Sequence, residues 1–202
     1  MKTILKKWKS LWDDKPRHIT LKGYGVQWNI LSFDHTRIGR NGRVKVREVT
    51  AKGAFQESIK NNHQLCLIDH NYDEDIGFTY TNTLRIKEDE RGLYFEVDLP
   101  DNHLTNELLL DLYCSNGVLH ASITFQAQEE YAIVERNQLI RVITRARLKE
   151  ISILRANSYP QNSHTRVVPL YSDAYNSSRQ RIHNLRHVVN WDKRLGIKKL
   201  AR

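Results

Sequence analysis

Hydrophobic side chains recur in steps of two along much of this chain, the period of a strand that turns alternate residues toward a core. Between His18 and Val49 the series Ile19, Leu21, Tyr24, Val26, Trp28 and Ile30 runs in steps of two or three, with Gly23 and Gly25 allowing a bend or bulge. Asn41-Gly42, between Arg37-Ile38-Gly39 and Val44-Lys45-Val46, is the strongest hairpin signal. A helix-like piece from Gly53 to Lys60 closes at Asn61-Asn62. Leu65 to His70 is an apolar run that ends in a histidine. Asp73-Glu74-Asp75 predicts a turn, and beyond it a long hairpin is expected, with arms Gly77 to Ile86 and Leu93 to Leu99. After Pro100, Asp101 or Asn102 can cap a helix whose core side is Leu104, Leu108, Leu109, Leu112 and Tyr113, ending at Asn116-Gly117. From Leu119 to Phe125 the pattern alternates strictly: His120, Ser122 and Thr124 share one face, and Leu119, Ala121, Ile123 and Phe125 the other. A second hairpin, Tyr131 to Arg147, turns at Arg136-Asn137, and the strand Leu148 to Leu154 carries Glu150. The pattern predicts a mainly β domain with helices (α+β), its antiparallel strands forming a closed or nearly closed barrel.

The two ends differ from this middle. Residues 1–17 space Ile4, Leu5, Trp8, Leu11 and Trp12 as one face of a short helix that Pro16 stops. Beyond Ala156 the composition turns to Asn, Ser, Pro, Gln and His, and residues 178–195 resume a helical pattern that Gly196 would cap. The expected organisation is a basic segment 1–17, a domain 18–160, and a linker with a basic amphipathic helix over 161–202. Charge sharpens that division. Residues 1–17 carry six basic and two acidic side chains, net +4; residues 165–202 carry nine and two, net +7; residues 18–164 carry 17 and 19, net −2. The overall +9 thus belongs to the ends, which suit polyanions, acidic protein partners or plain solvation. Aromatic residues are not interleaved with these basic residues as in nucleic-acid recognition modules. No apolar run nears the roughly 20 residues of a membrane span, and the first residues lack a secretory signal's apolar stretch. Cys66 and Cys114 have neither disulfide-framework nor metal-site spacing, which suits a reducing setting.

A serine (Ser122), a histidine (His70) and a carboxylate (Glu150) on strands of one domain are what nucleophilic acyl transfer needs: an attacking hydroxyl, a base for its proton and a group to orient that base. Rival chemistries lack their patterns. His63 and His70 do not form HExxH, and the Asp69 to Asp75 run, calcium-loop-like at its start, has Glu74 at the glycine position and Tyr80 at the final glutamate position. No metal and no cofactor are expected.

Five landmarks follow one another in order: Gly53-Ala54-Phe55; Leu67-Ile68-Asp69-His70-Asn71 with Ile76-Gly77 behind it; Arg91-Gly92-Leu93-Tyr94-Phe95; Ser122-Ile123-Thr124-Phe125; and Leu148-Lys149-Glu150-Ile151-Ser152-Ile153. In this order they resemble the tailed-bacteriophage prohead maturation proteases, serine peptidases related in fold to the herpesvirus assemblins. The resemblance spans about residues 20–160. This chain departs from the family pattern at Asn71 (an acidic residue there), at Thr124 (a glycine) and at Ala156-Asn157-Ser158-Tyr159 (a Pro-Ala-Tyr-like segment). The resemblance implies an assemblin-like closed antiparallel barrel, Ser122 as nucleophile, His70 as general base and acid, and Glu150 as the third member. His120 competes for that third place, because the viral assemblins use a second histidine. It further implies a scaffolding protein, the major capsid protein's scaffold-like extension and the chain itself as substrates, at least a dimer, and action inside the assembling prohead in a host bacterial cytoplasm. Two alternatives stand beside it: a protease-fold subunit without activity, which the departures would suit, and DNA contact by the basic tails.

Overall fold

Ser122 and Glu150, read from the sequence as lying on separate strands around a hairpin, belong to a single hairpin of two long strands. β8 (Leu119–Glu135) and β9 (Gln138–Leu154) have 17 residues each and turn at Arg136 and Asn137, both in the left-handed region (φ 49° and 63°). That is the two-residue turn whose twist matches paired strands. The computed structural model describes residues 19–39, 42–115, 117–158 and 165–170. The expected amphipathic segment 1–17 and the helix 178–195 lie outside these residues.

The remaining strands are β1 (Thr20–Gln27), β2 (His35–Gly39), β3 (Gly42–Thr50), β4 (Leu65–Ile68), β5 (Asn71–Phe78), β6 (Leu84–Glu88), β7 (Gly92–Asp98) and β10 (Arg166–Pro169). Two helices stand beside them, α1 (Gln56–Asn61) and α2 (His103–Cys114). Most of the described residues fall in one compact unit, His18–Pro169. The strands form one sheet in the order β2-β3-β9-β8-β10-β1-β7-β6, with β4 on β9 and β5 on β4. The mainly β, α+β class therefore stands. The sheet is not closed into a barrel, since β2 and β6 end its path, and it is not wholly antiparallel, since β3 and β4 both run parallel to β9. The physical reason is the length of β9. Its second edge is shared, with Leu139–Ile143 taken by β3 and Glu150–Ile153 by β4. The gap between them is filled by the approach to α1. Ala51 N–H donates to Ile143 O (2.9 Å), Ala146 N–H to Ala54 O (2.8 Å) and Leu148 N–H to Ser58 Oγ (2.9 Å).

One irregularity sets which β9 side chains face β8. Phe125 pairs with Leu148 but Thr124 pairs with Glu150, so Lys149 is the extra residue of a bulge. A one-residue offset carries a strand's side chains to the opposite face. The bulge thus puts Glu150 opposite Thr124 and Ser152 opposite Ser122.

Three expectations change. Asp73–Asp75 is not a turn but part of β5, where Leu67 pairs with Asp75 and Cys66 with Gly77. Its carboxylates suit an edge strand open to solvent, and pairing overrides local turn propensity. The arm expected from Gly77 to Ile86 breaks at Thr79–Thr83, so β5 and β6 pair with different neighbours. Within the stretch read as a linker, β10 is a strand held between β8 and β1, with Val167 wholly buried. The helix prediction holds: Asn102 Oδ1 accepts the Thr105 N–H (3.2 Å) at the start of α2, and Leu104, Leu108 and Leu112 are buried.

Candidate active site

His70 stands in a two-residue turn. Ile68 of β4 pairs with Asn71 of β5, leaving Asp69 (φ 48°) and His70 (φ 62°) both left-handed. For residues other than glycine this costs roughly 1–2 kcal/mol each, so the turn must be held by its surroundings. It is pinned from β9 and the residue after it. Asp69 N–H donates to Ile153 O (3.1 Å), His70 N–H to Ser152 Oγ (3.0 Å), and Arg155 N–H to Asp69 Oδ1 (3.0 Å).

From that turn the imidazole reaches Glu150, with Nδ1 2.6 Å from Oε1. An ionised carboxylate only accepts, so Nδ1 carries the proton and Nε2 is left with its lone pair. Glu150 is 1% exposed. Burial opposes its charge, but hydrogen bonds from His70, Thr124 and Ser152 outweigh burial and hold the carboxyl below the usual carboxylate range. The Ser152 hydroxyl donates to Glu150 Oε2 at 2.7 Å, and Thr124 Oγ1 lies 3.3 Å from His70 Nδ1. His70 in turn is pushed above its ordinary 6.5, chiefly by the hydrogen bond to Glu150 and against the opposing effect of burial.

Ser122 is buried, lies on the face of β8 that carries Thr124, and sits directly across from Ser152. Opposed Cβ atoms in such a pair are about 4.5–5.5 Å apart, so Ser122 neighbours Ser152, the residue bonded to both His70 and Glu150. Ser122 and His70 are not hydrogen-bonded to each other. His120 shares the Ser122 face but pairs with Arg166 of β10 and Leu154 of β9. Its Nδ1 is buried without a partner, and burial, then the Arg166 charge, pushes its pKa down. The structure thus brings together His70, Glu150, Ser152 and Thr124, sets Ser122 beside them, and leaves His120 outside their hydrogen bonds.

Two features had no sequence signal of their own. Thr124 stood out only as a departure from a glycine, and its contact with His70 depends on the Lys149 bulge. Arg155 follows an apolar strand as an ordinary cation, yet its guanidinium meets Glu74 (2.9 Å), Glu107 (3.0 Å), Asp111 (3.4 Å) and Asp69 (3.9 Å). Its acidic partners come from three separate segments, which no spacing reveals. Cys66 is wholly buried, and burial, with the Glu150 charge behind it, pushes its thiol far up, which makes it unreactive. No group of three metal-ligating side chains occurs among the described residues, and none of their helices is long and apolar enough to cross a membrane.

No curated protein matches the chain. Its sequence does match the profile of the caudovirus prohead serine proteases over residues 8–180, a range that contains every residue of this site. With that match over most of its length, the chain belongs to the caudovirus prohead serine protease family.

Proposed function

We propose that the protein is a serine endopeptidase that cleaves the scaffolding protein, or the major capsid protein's scaffold-like extension, and its own chain during prohead maturation. The reading is carried by the short His70 Nδ1 to Glu150 Oε1 bond beside Ser122, 2.6 Å in length. In it, Ser122 Oγ attacks the peptide carbonyl while its proton passes to His70 Nε2, and the new C–O bond gives a tetrahedral intermediate. Nε2–H then protonates the leaving amine as the C–N bond breaks, leaving an acyl-enzyme. Water adds by the same route and releases the acid, which restores Ser122 and neutral His70. Glu150 keeps Nδ1 protonated and stabilises the imidazolium formed at each transfer. His120, its Nδ1 unpartnered and its charge disfavoured, is not needed in this scheme.

Acting within the assembling capsid, the protease would have the scaffold and capsid proteins as partners and would work as a dimer or larger assembly. Its basic ends would meet acidic scaffold; DNA contact by those ends is the weaker reading. Self-cleavage would fall within the stretch 157–177, outside the paired strand β10.

The test is expression of wild type beside Ser122→Ala, each with and without co-expressed scaffold, followed by intact-mass measurement. Wild type should shorten from 23.8 kDa and cut scaffold, while Ser122→Ala stays whole and leaves scaffold intact. The second reading, a subunit without activity, draws on the missing Ser122–His70 hydrogen bond. Such bonds often tighten only when substrate is bound. A fluorophosphonate separates the two, because only an activated Ser122 displaces its fluoride and gains the phosphonyl mass. Full-length masses for both wild type and Ser122→Ala in every condition, with no labelling, would sink the enzymatic reading.

A further inference from the structure

Ser152 makes more bonds than a structural hydroxyl needs. It is fully buried, lies across the β8–β9 ladder from Ser122, and is next to Leu67 in the β4–β9 ladder. Its single proton goes to Glu150 Oε2 (2.7 Å), and its oxygen accepts the His70 backbone N–H (3.0 Å). One atom is therefore bonded to both partners of the His70–Glu150 pair, at the backbone of one and the side chain of the other.

Each bond removes a freedom that the pair would otherwise have. The carboxylate has two equivalent oxygens. With Oε2 held by Ser152, Oε1 is the one presented to Nδ1, and rotation about the last side-chain bond of Glu150 is blocked. The imidazole rides on a backbone in a left-handed conformation that histidine does not favour, and its N–H has Ser152 Oγ as acceptor. Without that acceptor the part-buried His70 N–H would lose its protein partner and the turn would be free to relax.

We infer that Ser152 is a positioning residue for the proposed mechanism: it fixes the His70 turn and the Glu150 carboxylate together, so that Nε2 is aimed at Ser122. The inference rests on the Ser122–His70–Glu150 reading, but two of its consequences do not depend on catalysis. In the wild-type protein the His70 amide should exchange slowly with solvent despite its place in a surface turn. The Nδ1 proton, held in a short bond to a buried carboxylate, should also give a low-field signal in histidine labelled with nitrogen-15.

The experiment compares wild type, Ser152→Ala and Ser152→Thr, the last keeping the hydroxyl on a strand where a β-branched side chain is favoured. Three quantities are read: His70 amide exchange, the Nδ1 proton signal, and the rate of fluorophosphonate labelling at Ser122. Ser152→Ala should lose the low-field signal and label on the order of 100-fold more slowly, the cost of a misplacement of about 1 Å. Ser152→Thr should restore both. A fast-exchanging His70 amide in wild type overturns the inference even if Ser152→Ala fails to fold. So does a Ser152→Ala protein with signal and labelling intact, or a folded Ser152→Thr as impaired as the alanine variant. If wild type shows the protected amide and the low-field proton but takes no label, the enzymatic reading fails and the role of Ser152 in holding the pair stands.

Discussion

In the proposed mechanism His70 accepts the Ser122 proton only while neutral, and its bond to Glu150 pushes its pKa above 6.5. Cleavage of a peptide spanning residues 157–177 should therefore fall on acidification through a pKa above 6.5, read as the acid limb of kcat/KM. In Glu150→Gln that limb should move down and kcat should drop by roughly 10³ to 10⁴-fold, because an amide no longer fixes the tautomer. The same pair also makes stability depend on pH. The raised histidine contributes fully below 6.5, and its contribution is lost as pH rises through its folded value. The lowered glutamate contributes fully above 4.5 and loses its share as pH falls through its own folded value. The gap in Tm between wild type and Glu150→Gln should accordingly be widest between pH 4.5 and 6.5. Ser122, His70 and Glu150 could be picked out as candidates because residue type, strand pattern and motif order all pointed at them, and the structure joins two of them, His70 and Glu150. Ser152 could not be, since a buried serine on an apolar strand reads the same whether it bonds one neighbour or holds two.

At the scale of elements, the geometry depends on a bulge that a helix supports. Ser58 of α1 is buried and accepts the Leu148 N–H (2.9 Å), one residue before the inserted Lys149. Ser58→Ala should cost about 1–3 kcal/mol in urea unfolding, the penalty of an unsatisfied buried donor. It should also slow Ser122 labelling although Ser58 belongs to neither strand of the hairpin. Equal loss of stability with no change in labelling would uncouple the bulge from the site. The alternation at Leu119–Phe125 and the caps of α2 were plain in the sequence because both are local. The bulge was not, because it follows from competition between β3, α1 and β4 for one edge of β9. Asp73–Asp75 misled for a related reason: its local composition favours a turn, and only β4 makes it a strand.

For the whole molecule, the basic ends and the sheet make separable demands. Removing residues 171–202, with eight basic and two acidic side chains, net +6, should leave peptide cleavage intact and reduce incorporation into proheads. A chain ending at Ser158 should behave differently, because it also lacks β10. It loses buried Val167 and the pairing of Thr165–Pro169 with β8 and β1, and should be less stable by about 3 kcal/mol or more. Charge and composition divided the chain near 160, and they missed β10 because four residues, Arg-Val-Val-Pro, are too few to show a period. The seat of β10 has a kinetic meaning as well. Only the covalent tether through residues 159–164 sets its local concentration beside β8 and β1; its bonds to them are those of a bound peptide. A cut in that tether would turn an intramolecular strand into a ligand with an off-rate of its own. If the proposed self-cleavage falls there it starts a clock, with β8 keeping its neighbour only until β10 diffuses away.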